Sequence, residues 1–199
     1  MNTLIKRAML VAGISTAMAL PLTTQASDGT ITFAGAVTAN TCTVSVNGLG
    51  ANPTIHLPIV SQSALTNAAT KTTAAGTFFN MAVSGCTATN ADVNGHVPTS
   101  VQIYFEAGPN VDEVTGGLIN NTVGGSTVEV NLYLASAASV VTTQILPGTA
   151  TQPASQLFTG LATQWFYAGY STAGTNGLAG VLATAGVVST SVTYSLVYQ

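Results

Sequence analysis

Residues 28–42 read "DGTITFAGAVTANTC" and alternate like a half-buried strand. Ile31, Phe33, Gly35 and Val37 fall on one face, and Thr32, Ala34, Ala36 and Thr38 on the other. Such an apolar face needs a core to fill, yet it stands near the head of the chain, where termini are ordinarily loose. The opposite end carries a matching pattern. In "SVTYSLVYQ", residues 191–199, Val192, Tyr194, Leu196 and Tyr198 face one way, while Thr193, Ser195 and Val197 face the other. The alternation runs to the last residue but one, so the chain ends inside a strand. A terminal strand sits at a sheet edge or pairs with something that comes from elsewhere.

Residues 1–26 carry Lys6 and Arg7, then an apolar run from Ala8 to Leu20, then the small residue Ala26 before a polar "SDG". This three-part order is that of a secretory signal peptide, and the run is too short to span a bilayer. No other stretch resembles a stop-transfer segment, so the chain reads as exported and soluble after cleavage. The remainder is long enough for one domain with a real hydrophobic core. Removing the leader leaves Lys71 as the one basic residue against six acids. A surface so poor in cations has almost nothing with which to neutralise phosphates, which argues against nucleic acid and anionic lipid as partners. Charged residues make up only 5% of the chain, so the exterior must be built from Thr, Ser, Asn, Gln, Gly and Ala. Cys42 and Cys86 are an even pair in an exported chain, for which a disulfide is the default reading. Closing a loop of about 45 residues would constrain the unfolded chain by roughly 4 kcal/mol. Free thiols or metal ligands are the alternative, but no CxxC or Cys/His cluster supports them.

Between the ends, short alternating runs are punctuated by turn residues. Strands are predicted over 41–46, 54–57, 77–83, 100–106, 127–135, 163–170 and 187–198, with "NGLGANP", "SGCTATNADVNG", "AGPN" and "STAGTNG" among the joints. A short helix is predicted over 61–69, capped by Ser61 or Ser63. Many short strands with Gly, Asn and Pro between them indicate an all-β sandwich.

Catalytic chemistry needs titratable groups in combination, and few are offered. His56 and His96 each stand alone, outside any HExxH or His-x-His pair. Asp112 and Glu113 are adjacent carboxylates that would point to opposite sides if extended, and "AGPNVDEVTGG" reads as a solvated loop. The serines lack a GxSxG elbow, and "GLGANP" departs from the phosphate-loop pattern at its final position. "NNT" at Asn120 matches a glycosylation sequon, a three-residue pattern that arises often by chance. The aromatics of "TQWFYAGY" suit a sugar-stacking platform, but alternation buries one face of that run, which favours a strand that is part core and part surface.

Taken with their order and spacing, several stretches resemble the chaperone-usher pilins, the fimbrial subunits of type 1 and P pili in Gram-negative bacteria. They are "DGTITFAGAVTANTC", with Gly35 seven positions before the first cysteine, "FNMAVSGC" around the second, "VEVNLYL", "WFYAGYSTAG" and the terminal "YSLVYQ". The resemblance implies an all-β, incomplete immunoglobulin-like β-sandwich that lacks its last strand, preceded by an N-terminal donor-strand extension. It implies a signal peptide over 1–26, the extension over 27–40 and a pilin domain over 41–199. Matched position by position, Ile31, Phe33, Gly35 and Val37 correspond to the donor residues, Cys42 and Cys86 to the family disulfide, and Val192, Tyr194, Leu196 and Tyr198 to the terminal strand beside the groove. The Gln199 carboxylate corresponds to the group that the chaperone anchors.

The resemblance further implies a non-enzymatic structural subunit of a surface pilus, exported through the periplasm and supporting adhesion. Its partners would be identical or related subunits, a periplasmic chaperone and an outer-membrane usher, with no cofactor, metal or nucleic acid. Donor-strand complementation is an established case of β-strand addition, and the residues suit it physically. Burying Ile31, Phe33 and Val37 would contribute roughly 1.5–3 kcal/mol each in gross terms. Gly35 would let the donor backbone approach a shallow part of the groove, although a simple bulge would also use a glycine there. The rival of another class is a self-contained secreted lectin-like β-sandwich that pairs residues 28–37 within its own chain and binds glycans through Trp165–Tyr170. A secreted hydrolase using His56 or His96 with Asp112 or Glu113 would require those groups to converge.

Overall fold

The alternation of "GTFFNMAVS" becomes a strand with Phe79, Met81 and Val83 buried on one face and the residues between them half-exposed. That pattern recurs through a computed structural model of the chain, which describes residues 42–66, 76–86, 95, 97–150, 152–153, 156–157, 162–172 and 183–199. All of them belong to one compact unit, Gly35–Gln199. The elements are β1 (Thr43–Val46), α1 (Gln62–Thr66), β2 (Gly76–Ser84), β3 (Ser100–Phe105), β4 (Leu118–Ile119), β5 (Glu129–Ala135), β6 (Val141–Ile145), β7 (Gln156–Leu157), β8 (Ala162–Ser171) and β9 (Tyr194–Tyr198). One sheet runs β1-β2-β8-β5-β4, with β6 also pairing β5, and the second runs β7-β3-β9. Every pairing is antiparallel, as expected for an all-β sandwich with short connections.

The inner faces of the two sheets make one core. Val101, Ile103 and Phe105 of β3 join Phe79, Met81 and Val83 of β2 and Val130 and Leu132 of β5 in a single apolar cluster. Phe166 of β8 lies at its centre, 0% exposed, stacked on Phe79 at 5.3 Å and met edge-on by Phe105 at 5.4 Å. The Phe105 contact joins the two sheets, because β3 and β8 belong to different ones. β5 and β8 run through the middle of the larger sheet, and β5 and residues 166–171 of β8 are covered on both faces, so Asn131, Tyr133 and Tyr167 are enclosed along with the core residues. Cys42 and Cys86 form a disulfide across the end of the β1–β2 pair, beside Thr43 and Ser84.

Two predicted strands fall short. Residues 54–57 have no β-ladder, and of the run 187–198 only Tyr194–Tyr198 is a strand. Both stretches keep their alternation. Ile55, Leu57, Val188 and Val192 pack against the core while Thr54, His56, Ser189 and Ser191 are exposed. The side chains therefore alternate as strands require, and what is missing among the described residues is a regular ladder: 54–57 have no backbone partner and 187–193 are bonded along one edge alone. The predicted helix is present only as Gln62–Thr66, with 67–69 outside the described residues. Ser61 accepts the Ala64 N–H through its backbone carbonyl at 3.0 Å, while its hydroxyl is engaged with that of Ser63. β4, β6 and β7 were not predicted. β4 and β7 are two residues long, and β6 is mostly exposed, so neither length nor burial marks them.

Candidate functional site

The two stretches that alternate without a ladder face one another across a cleft of about 600 Å³. One wall is residues 188–194 and the other residues 51–57; Phe79, Met81, Phe105, Leu132, Ala168 and Tyr170 are part of its floor. A cleft floored by the core of a sandwich and walled by two extended segments is the shape left by removing a strand.

The hydrogen bonding of the first wall shows which edge is open. Ser100 and Gln199 exchange both backbone bonds at 2.9 Å, so in the β3–β9 ladder the odd-numbered residues of β9 bond β3 and the even-numbered ones turn to the opposite edge. The same parity continues upstream of the strand. Thr193 O accepts from Glu106 N at 2.9 Å, Ser189 O from Asn121 N at 2.9 Å, and Val187 O from Ser126 N at 3.2 Å. Val188, Thr190 and Val192 point their peptide groups the other way, and among the described residues no backbone partner meets them. The Thr190 hydroxyl oxygen is also buried without a partner. Unpaired peptide groups along an edge are a template for a further strand.

The second wall is held from below by side-chain hydroxyls. Tyr194 OH donates to Ala51 O at 2.8 Å, Thr77 Oγ1 to His56 O at 2.8 Å, and Tyr170 OH to Pro58 O at 3.1 Å. Burial pushes the Tyr170 and Tyr194 phenols above their ordinary range, which keeps both protonated as donors. The Tyr194–Ala51 bond ties the two walls together at one end. At the other end, Tyr170 lies opposite Val130, and Val130 opposite Leu118, two residues before the Asn120 that grips Val187 and Ser189. The walls thus run in opposite directions, and a strand laid between them is antiparallel to one and parallel to the other.

Of the residues singled out in the sequence, Val192 and Tyr194 line the cleft. Leu196 and Tyr198 share their face and pack against the core. Gln199 is bound within its own chain, its carbonyl oxygen accepting from Thr99 N at 2.8 Å and Ser100 N at 2.9 Å. Ile31, Phe33, Gly35, Val37 and His96 lie outside the described residues. His56 is exposed at the cleft rim. Asp112 departs from the solvated loop expected of it: it is 7% exposed, and its Oδ1 accepts from Val114 N at 2.7 Å and Thr115 N at 3.1 Å, closing the 112–117 turn. Glu113 is exposed. The aromatic run divides as alternation requires, Phe166 and Tyr170 into the core and Trp165 and Tyr167 to the outer face. Sequence reasoning missed the 51–53 part of the second wall, which ends the stretch "NGLGANP" that reads as a turn. It also missed Asn110 and read Asn120 only as a sequon asparagine, since neither carries a periodic signal.

No protein-family profile matches the chain. The chain is 35% identical over 190 residues to the major fimbrial subunit SMF-1 of Stenotrophomonas maltophilia, covering 91% of this chain and 98% of that protein. It is 32% identical over 178 residues to the F17 fimbrial protein of Escherichia coli, covering 88% and 90%. A shorter match, 37% over 97 residues, links it to the fimbrial protein FimX of Bordetella pertussis, covering 49% and 43%. With identity of this degree running through nearly the whole length of two such proteins, the chain belongs to the fimbrial subunit family.

Proposed function

We propose that this fimbrial subunit is a non-enzymatic structural protein that polymerises by donor-strand exchange, residues 27–40 of one copy entering the cleft of the next. The observation that carries this reading is the pair of segments, 51–57 and 188–194, that face each other across an apolar floor with no strand between them among the described residues. Residues 31–37 and residues 188–194 each span about 20 Å at the rise of an extended strand. Ile31, Phe33 and Val37 supply the apolar side chains that such a floor accepts, and the peptide edge at Val188, Thr190 and Val192 supplies backbone partners. A strand given by one molecule to the next is a heterologous contact that does not close, so it builds a filament.

In this reading residues 1–26 are cleaved on export, 41–199 form the pilin domain, and the fimbria supports adhesion at the cell surface. A periplasmic chaperone fills the cleft before the neighbouring subunit does, with a cationic contact to the Gln199 carboxylate, and an outer-membrane usher receives the complex. The test is a mature chain lacking residues 27–37, mixed with or without the intact protein. The truncated chain is expected to form no denaturant-resistant ladder alone and to cap ladders of intact protein. Normal ladders from the truncated chain alone would sink the proposal.

A further inference from the structure

The wall at residues 187–193 has the alternation of a strand, yet along its bound edge much of the grip comes from two asparagine side chains. Asn120 Nδ2 donates to Ser126 O and Val187 O, both at 2.8 Å, and its Oδ1 accepts from Thr122 N at 3.1 Å and Ser189 N at 2.9 Å. A primary amide has two N–H donors and two carbonyl lone pairs, so all four places are taken. Asn110 Nδ2 donates to Ser191 O at 3.1 Å and to Ser191 Oγ at 2.9 Å. The grips fall on Val187, Ser189 and Ser191, every second residue, and the Glu106–Thr193 backbone bond continues the series. Holding the odd-numbered peptide groups on that side turns the even-numbered ones toward the cleft.

Two glycines let the clasp close. A Cβ on Gly125 would lie 2.5 Å from Val187 O and 2.7 Å from Asn120 Nδ2, and one on Gly186 would lie 2.5 Å from Ser126 N. The same arrangement gives the "NNT" asparagine a structural use, since its nitrogen is engaged with two carbonyls.

We propose that Asn110 and Asn120 are positioning residues for strand acceptance: they preset the peptide edge at residues 188–192, so that an incoming strand meets an ordered template. The inference rests on the reading of the cleft as a strand acceptor. Without the clasps, each encounter would have to order the wall at a cost in backbone entropy.

The test uses the mature full-length chain and follows the rate of ladder formation, together with amide exchange at residues 188, 190 and 192. Asn120→Asp is close to isosteric and keeps both acceptor bonds, but it sets a carboxylate against two carbonyl oxygens in place of two donated bonds. Assembly at neutral pH is expected to slow roughly tenfold, with faster exchange at the wall. Relative to wild type at the same pH, the loss should shrink as the medium is acidified, because a protonated carboxyl donates again. A residue acting by volume alone would not give that rescue. Asn110→Ala, which removes only the Ser191 grip, should slow assembly severalfold at every pH and covers the case in which Asn120→Asp fails to fold. Wild type assembling while Asn110→Ala and a folded Asn120→Asp match its rate overturns the positioning role alone. Failure of wild type itself to assemble overturns the cleft reading, and the positioning role with it.

Discussion

Filling the cleft from its own floor should move monomer and polymer in opposite directions. Ala168 lies on β8 between Thr77 and Leu132, its side chain on the core face and lining the cleft. Ala168→Leu adds three carbons in a space of about 600 Å³ that an incoming strand would otherwise occupy. At about 0.8 kcal/mol per buried methylene, the isolated subunit should gain about 2 kcal/mol. With a urea dependence of about 2 kcal/mol per molar, the midpoint of freshly refolded, dilute protein should rise by about 1 M. In the proposed exchange, a donor strand arriving at the same place would meet an overfilled floor, at a cost of roughly 1–3 kcal/mol. Ladders should then dissociate in denaturant about tenfold faster than wild type. Equilibrium unfolding reads the first quantity and timed electrophoresis of oligomers the second. Ladders of wild-type durability together with a raised midpoint would refute the reasoning, because they would mean that the cleft fills without excluding the strand proposed to join subunits.

Two further predictions concern the fold that carries the cleft. Replacing Cys42 and Cys86 together by serine opens the loop closed between cysteines 44 positions apart, and the subunit should lose roughly 4 kcal/mol by urea unfolding; a loss below about 1 kcal/mol would show that the β1–β2 ladder holds that end unaided. Alkaline titration should weaken the fold through Tyr133, Tyr170 and Tyr194, whose phenols are pushed up chiefly by burial, with Asn131 partly opposing the shift at Tyr133. The folded chain keeps these protons at pH values where the unfolded chain has released them. Their contribution is therefore complete below about pH 10 and is lost as pH rises through the higher folded values. Thermal unfolding followed from pH 8 to 11 should show a falling midpoint above pH 10, and a flat profile would contradict the burial of these phenols.

The core was legible wherever side-chain periodicity and hydrogen-bond pairing coincide. Phe79, Met81 and Val83, like Val101, Ile103 and Phe105, alternate in sequence and lie on the inner faces of paired strands. "VEVNLYL" was legible as a strand but not as one enclosed on both faces. Glu129 is 1% exposed there, with its Oε2 accepting from Thr115 Oγ1 at 2.7 Å. Alternation within one segment carries no information about what covers its outer face, and the turn that carries Thr115 lies more than a strand away in sequence. Asp112 was misread for the same reason: its burial depends on a turn closed by its own side chain, which composition reports only as a polar loop.

The site was legible in a different sense, through the places where strand prediction outran the structure. Periodicity reports which way side chains point, whereas a strand also requires a neighbour for its peptide groups. Among the described residues, 54–57 satisfy the first condition without a backbone neighbour and 187–193 satisfy it with neighbours along one edge alone, and these are the segments that wall the cleft. A chain selected only to fold alone would gain by pairing such edges or by covering them with charge. This one keeps Val188, Thr190 and Val192 turned toward the cleft and grips their neighbours with Asn110, Asn120 and a backbone bond from Glu106. Polar groups are thus used to hold in place an edge that meets no backbone partner among the described residues. That expense is physically reasonable when the missing partner is a strand, which restores the backbone bonds along the edge and fills the apolar floor in the same step.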